Sequence, residues 1–104
     1  MRDLDRQAEL FKALSDPNRL RILRILADGQ PAECGGRPGK RALLCVNALA
    51  KKLGVTQSAV SQHLRLLKHA GLVCGKKHGS FVHYSIDAEG WKRARTAMDS
   101  LWGS

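Results

Sequence analysis

Residues Leu49 to Val73 read LAKKLGVTQSAVSQHLRLLKHAGLV: a helix, a tight turn, a second helix and the start of a strand. Ala50 and Leu53 close the first helix, and Gly54 supplies the left-handed residue that ends it. Thr56 is placed to cap the second helix, because a hydroxyl there accepts a bond from an orphan N–H of the first turn. Val60, Leu64 and Leu67 recur at i, i+4 and i+7 and define the buried face, and Gly71 stops the helix. The opposite face opens with Gln57, Ser58, Ser61, Gln62 and His63. Amides and hydroxyls stand where an ordinary exposed helix carries Glu and Lys. Such groups at the N-terminal half of a helix suit base edges and phosphates, and a helix–turn–helix delivers that half to the major groove.

Charge follows the same segment. The 104 residues carry a net charge of +9. From Met1 to Gly29 there are six Lys/Arg against five Asp/Glu, nearly balanced. From Gln30 to Ile86 there are nine Lys/Arg and one acid, Glu33. A stretch so one-sided repels itself unless something anionic sits on it, and nucleic acid is the usual partner. Thr56, Arg65 and Lys68 then lie nearer the DNA backbone, with Lys51, Lys52, Lys76, Lys77 and His78 as phosphate contacts. The length suits one domain, residues 1–104, with a single modest core. No apolar run approaches a membrane span and no signal-peptide pattern opens the chain, so a soluble, cytoplasmic protein with no membrane partner is expected.

Working outward, Leu4, Ala8, Phe11 and Leu14 set a first helix over 3–14. Asp16 can cap and Pro17 can open a second helix running to Ala27. Leu20, Ile22, Leu23, Ile25 and Leu26 make that helix apolar over much of its circumference, as a central core helix should be. Residues 28–41 hold four glycines and two prolines, a Gly/Pro-rich loop that is long for a link between packed helices. It reads either as a tolerated surface insertion or as a ligand-responsive lid. Ala42 to Leu53 reads as the third helix. Beyond Gly71, Leu72–Lys76 and Phe81–Ile86 alternate as strands around a basic tip, Lys77-His78-Gly79-Ser80, and form a wing. A last helix over 87–102 carries Trp91, Ala94, Met98 and Leu101. The expected fold is therefore mainly α with a small β-hairpin, in the order α-α-α-α-β-β-α: a winged helix-turn-helix. Leu4, Phe11, Trp91, Met98, Leu101 and Trp102 offer more apolar surface than one small domain covers. A homodimer through the first and last helices would bury it and space two reading helices for successive major grooves.

The three cysteines, Cys34, Cys45 and Cys74, are odd in number and irregularly spaced, and they read as free thiols rather than a disulfide framework. Cys34 sits inside the Gly/Pro-rich loop and Cys45 beyond its end, and the glycine-rich stretch between them can bring them together. A pair of thiolates binds As(III) or another thiophilic metal, or closes into a reversible Cys34–Cys45 disulfide under oxidant. Arg37, Lys40 and Arg41 would favour the thiolate form if they lie close. Cys74, at the start of the wing, joins them only if the fold delivers it. Simple packing of all three thiols is the alternative.

FKALSDPNRLRILRIL, LAKKLGVTQSAVSQHLRLLKHAGLV and GSFVHYSID, in that order, resemble the ArsR family of winged-helix repressors, bacterial metal and redox sensors. The resemblance spans about Leu10 to Asp87. It implies a homodimer that occupies an operator and is released by an inducer. Many members carry ELCVCDLA on the third helix, with both cysteines binding arsenite or a soft metal. The matching stretch here, Leu43 to Ala50, keeps Cys45 but has Asn47 and Ala48 in place of the second cysteine and the aspartate. A two-thiolate chelate within that helix is not available. The family's zinc and cobalt site needs Asp and His on the last helix, which has no His here. Ser80 stands where many relatives place a wing arginine.

Two functional classes follow. One is a sequence-specific repressor of double-stranded operator DNA, released by chemistry at cysteine thiols. The other is a constitutive DNA-binding protein of the same fold with no cysteine-based sensing. Catalysis has no support: there is no nucleophile–base signature, and GGRPGK lacks the full phosphate-loop pattern.

Overall fold

The computed structural model describes residues 2–28, 44–79 and 81–102. In chain order these form helices α1 (Arg2–Leu14) and α2 (Pro17–Asp28), a two-residue strand β1 (Leu44–Cys45), and helices α3 (Val46–Leu53) and α4 (Gln57–His69). Strands β2 (Val73–His78) and β3 (Phe81–Ile86) and helix α5 (Ala88–Leu101) complete the chain. The five helices and the hairpin stand in the expected order, a winged helix-turn-helix.

Local chemistry sets the corners. Asp16 Oδ2 accepts the backbone N–H groups of Asn18 (2.8 Å) and Arg19 (3.1 Å), so it caps α2 while Pro17 takes the first helical position. At the α3–α4 turn Gly54 adopts φ +68°, and its N–H returns to the Ala50 carbonyl at 2.9 Å. Thr56 Oγ1 then accepts the Ala59 N–H at 3.0 Å and starts α4. Asp87 caps α5 in the same way through the Gly90 N–H, at 3.0 Å. Gly90 has a second duty: a Cβ there would overlap the Gly71 carbonyl, so only glycine lets α5 press onto the α4–β2 turn.

Ile22, Leu26, Leu49, Val60, Leu64, Leu67 and Leu72 are the fully buried centre, where α2, α3, α4 and the root of β2 meet. On α2, Ile22, Leu23 and Leu26 face inward, but Leu20 remains 49% exposed. The apolar surface of α2 is thus wider than the face it buries. Gln7, 5% exposed, donates from Nε2 to the Ala97 carbonyl (2.7 Å) and to Ser100 Oγ (3.2 Å), pinning α1 to α5.

The third helix departs from its expected bounds. It begins at Val46, not Ala42, and Leu44–Cys45 forms a strand that pairs antiparallel with β3, Leu44 opposite Tyr84 and Cys45 opposite His83. Leu43 to Val46 is a short apolar run, and periodicity alone does not distinguish strand from helix in four residues. The outer edge of β3 supplies the deciding hydrogen-bond partners. The sheet therefore has three strands in the order β1-β3-β2. β2 also runs further than expected, to His78, which pairs with Phe81 across a turn containing Gly79 at φ +61°.

Candidate nucleic-acid interface

α4 is held from behind by Val60, Leu64 and Leu67, each 1% exposed or less. The remaining surface is fixed by helical geometry. Gln57, Ser58, Ser61, Gln62 and Arg65 fall within an arc of about 140° on the far side, and all five are exposed. Lys51 and Lys52 are exposed at the end of α3, and Thr56 and Lys68 on or beside α4. On the wing Lys77 is exposed and Lys76 half-buried. No acidic residue lies between Lys51 and Ser85. The described surface thus presents four neutral hydrogen-bonding groups, Gln57, Ser58, Ser61 and Gln62, on one helix face, with Arg65 beside them and further cations around it. Neutral groups of that kind read base edges, while surrounding cations hold phosphates.

His63, grouped with the reading residues by sequence, is placed differently. Its side chain is 15% exposed and turned to the α1–α2 corner. His63 Nδ1 lies 3.3 Å from Arg19 Nη1, and Nε2 lies 3.9 Å from Asp16 Oδ2. A guanidinium only donates, so Nδ1 accepts and the ring proton sits on Nε2, towards Asp16. Arg19 also donates from Nε to the Ala13 carbonyl (2.8 Å) and from Nη2 to the Lys12 carbonyl (3.0 Å). It thereby satisfies the open carbonyls at the end of α1. The Asp16 carboxyl is held below its ordinary value, first by the Arg19 backbone N–H, then by that of Asn18 and by the Arg19 guanidinium; desolvation acts against them. The corner is a polar clamp joining α4 to the α1–α2 turn. No periodicity announces it, because its members are 44 positions apart.

A second contact escaped the sequence. Gln57 Nε2 donates to Asn47 Oδ1 at 3.1 Å, joining the first turn of α4 to the first turn of α3.

The cysteines divide. Cys34 and most of the Gly/Pro-rich loop lie outside the described residues, as do the side chains of Cys45 and His78. By register Cys45 pairs with His83, and His83 pairs in turn with Lys76 on the other side of β3. Cys74 is disulfide-bonded, which corrects its reading as a free thiol. Its sulfur also lies 3.3 Å from Ser85 Oγ. Among the described residues no group of three or more His, Cys, Asp or Glu is placed to hold a metal. No described helix is long and apolar enough to cross a membrane.

Of the six apolar residues assigned to a two-fold interface, Leu4 (50%), Phe11 (42%) and Trp102 (78%) are exposed. Trp91 and Met98 instead pack against the chain's own core, and Leu101 is half-buried.

Residues 40–74 match the family described as bacterial regulatory protein, arsR family. An uncharacterized HTH-type transcriptional regulator of Methanocaldococcus jannaschii is 33% identical over 101 residues, covering 97% of this chain and all of the relative. The arsenical resistance operon repressor of Escherichia coli is 34% identical over 94 residues, 90% of this chain and 70% of the repressor. Among solved structures, the homodimeric winged helix-turn-helix DNA-binding domain of a possible ArsR-family regulator from Mycobacterium bovis superposes with a TM-score of 0.68. Its identity is 30%, and the match covers 94% of this chain and 79% of that one. With this fold, this exposed polar face on α4 and these relatives, the chain belongs to the ArsR family of winged helix-turn-helix DNA-binding transcriptional regulators.

Proposed function

We infer that the protein is a homodimeric repressor that reads an imperfect palindrome in operator DNA and leaves it when cysteine thiols are modified. The observation that carries the DNA half of this reading is the uninterrupted exposed face of Gln57, Ser58, Ser61, Gln62 and Arg65, backed by a fully buried apolar stripe. Gln57, Ser58, Ser61 and Gln62 reach into the major groove, and Thr56, Arg65, Lys51, Lys52, Lys68, Lys76, Lys77 and His78 meet phosphates. The exposed Leu4, Phe11 and Trp102 on α1 and just past α5 supply the apolar surface of a two-fold interface. The homodimeric relative from Mycobacterium bovis supports that assembly, and the operon repressor from Escherichia coli supports repression.

The inducer acts at Cys34 and Cys45, with Cys74 as a third participant. Register supports Cys45: it is one residue from the start of α3 and shares a row of the sheet with His83 and Lys76. Chemistry at Cys45 would therefore shift α3 and the wing together. The disulfide at Cys74 favours an oxidant over As(III) or another thiophilic ion as the signal.

The test is a titration of the reduced protein onto its own promoter DNA, followed by arsenite and, separately, a mild thiol oxidant. Oxidant-driven release, lost in Cys45→Ser while DNA binding persists, is the expected result. Release by arsenite alone would make the protein a metalloid sensor. Identical affinity in every state would leave a constitutive DNA-binding protein of this fold.

A further inference from the structure

Gln57 opens α4, and Asn47 lies in the first turn of α3. Both side chains are exposed, yet they are joined across the helix–turn–helix by the 3.1 Å bond from Gln57 Nε2 to Asn47 Oδ1. A free glutamine amide is ambiguous towards DNA. It has two N–H donors on one side and an acceptor oxygen on the other, and a half-turn about its last torsion exchanges them. Unrestrained, it accommodates a base that donates or a base that accepts. The bond to Asn47 restricts that freedom: with Asn47 Oδ1 turned towards α4, Nε2 is the atom held, and the reverse orientation requires both amides to turn over together. With Nε2 held against Asn47, Oε1 stays free to accept, and one Nε2 hydrogen remains.

In the major groove adenine offers an N6 donor beside an N7 acceptor, and cytosine an N4 donor; guanine and thymine offer acceptor oxygens at the corresponding places. We propose that Asn47 is a specificity-determining residue: by holding the Gln57 amide in one orientation, it makes that position of the operator select a base with an amino donor, adenine first. The proposal rests on α4 being the base-reading helix. Asn47 touches no base itself, and its effect is exerted through Gln57.

The experiment starts from a duplex selected by the wild-type protein from a random library. Affinities are then measured for all four bases at each position, using wild-type protein and the Asn47→Ala, Asn47→Asp and Gln57→Ala variants. Wild type should prefer adenine at one position per half-site by on the order of tenfold over guanine. Asn47→Ala should flatten that position to less than about threefold, because the released amide can turn over. Preferences elsewhere should stay intact. Asn47→Asp still accepts from Nε2, so the adenine preference should survive even though the added negative charge weakens binding to every sequence alike. Full preference in Asn47→Ala, or a reversal to guanine in Asn47→Asp, would overturn the proposal. Unchanged preferences in Gln57→Ala would overturn it too, whereas a wild-type protein with no base preference at any position would instead overturn the reading of α4 on which it rests. Both positions are exposed, so equal thermal midpoints for all four proteins keep folding out of the comparison.

Discussion

Arg19 shows how one side chain serves the fold and the reading helix together. It satisfies two carbonyls at the end of α1 and orients His63 from α4, while Asp16 beside it caps α2. Charged hydrogen bonds of this kind contribute more than neutral ones, and removing one partner strands the others. Arg19→Ala should therefore cost roughly 1–3 kcal/mol by urea unfolding. Arg19→Lys should recover little of it, because a point charge cannot reach three separate acceptors. The sign of the Asp16 effect is fixed by its lowered pKa. A carboxyl whose folded value is depressed stabilises the fold above the unfolded value, and that contribution fades as pH falls through the folded one. Wild-type stability should thus drop below about pH 4. Asp16→Asn should be less stable at neutral pH and show a shallower acid dependence. An identical acid profile for the two proteins would remove Asp16 from the account. At the other end of the turn, Thr56→Ala loses the cap bond to Ala59 and should cost about 1 kcal/mol.

At the scale of elements, the α3–turn–α4 unit is bounded by chemistry that is local in sequence. Gly54 and Gly71 take positive φ, Thr56 caps, and Val60, Leu64 and Leu67 repeat at helical spacing. All of that is legible within twenty-five residues. What was not legible depends on partners far along the chain. Leu44–Cys45 became a strand because β3 offers an edge forty residues later. His63 turned away from the reading face because Arg19 and Asp16 wait behind it. Trp91 and Met98 lie on an apolar stripe that packs partly against the monomer core, and periodicity alone does not separate that packing from an interface. Core burial also sets the largest mutational cost. Leu64 is 1% exposed among Ile22, Leu26 and Leu67, so Leu64→Ala should lose roughly 2–5 kcal/mol of unfolding free energy. A loss below about 1 kcal/mol would mean that the helix is not seated on the core as described.

At the scale of the whole molecule, charge and symmetry act together. The cations from Lys51 to Lys77 lie around the exposed polar face of α4, and the exposed Leu4, Phe11 and Trp102 lie on α1 and just past α5, the helices proposed to join two copies. Phe11→Glu should give a monomer by sedimentation with much weaker operator binding, and its unfolding midpoint should lose the dependence on protein concentration that a dimer shows. If about eight phosphates are neutralised per dimer, log K should fall with log salt at a slope near −7. A slope shallower than about −3 would contradict contact through this basic surface. The most direct test is the ratio of affinities for a selected duplex and a scrambled duplex, in wild type and in the Ser61→Ala, Gln62→Ala double variant. The account predicts that wild type discriminates by on the order of a thousandfold, and that the double variant loses most of this while still binding scrambled DNA with the same salt slope. A double variant that discriminates as well as wild type would contradict the assignment of α4 as the helix that reads DNA.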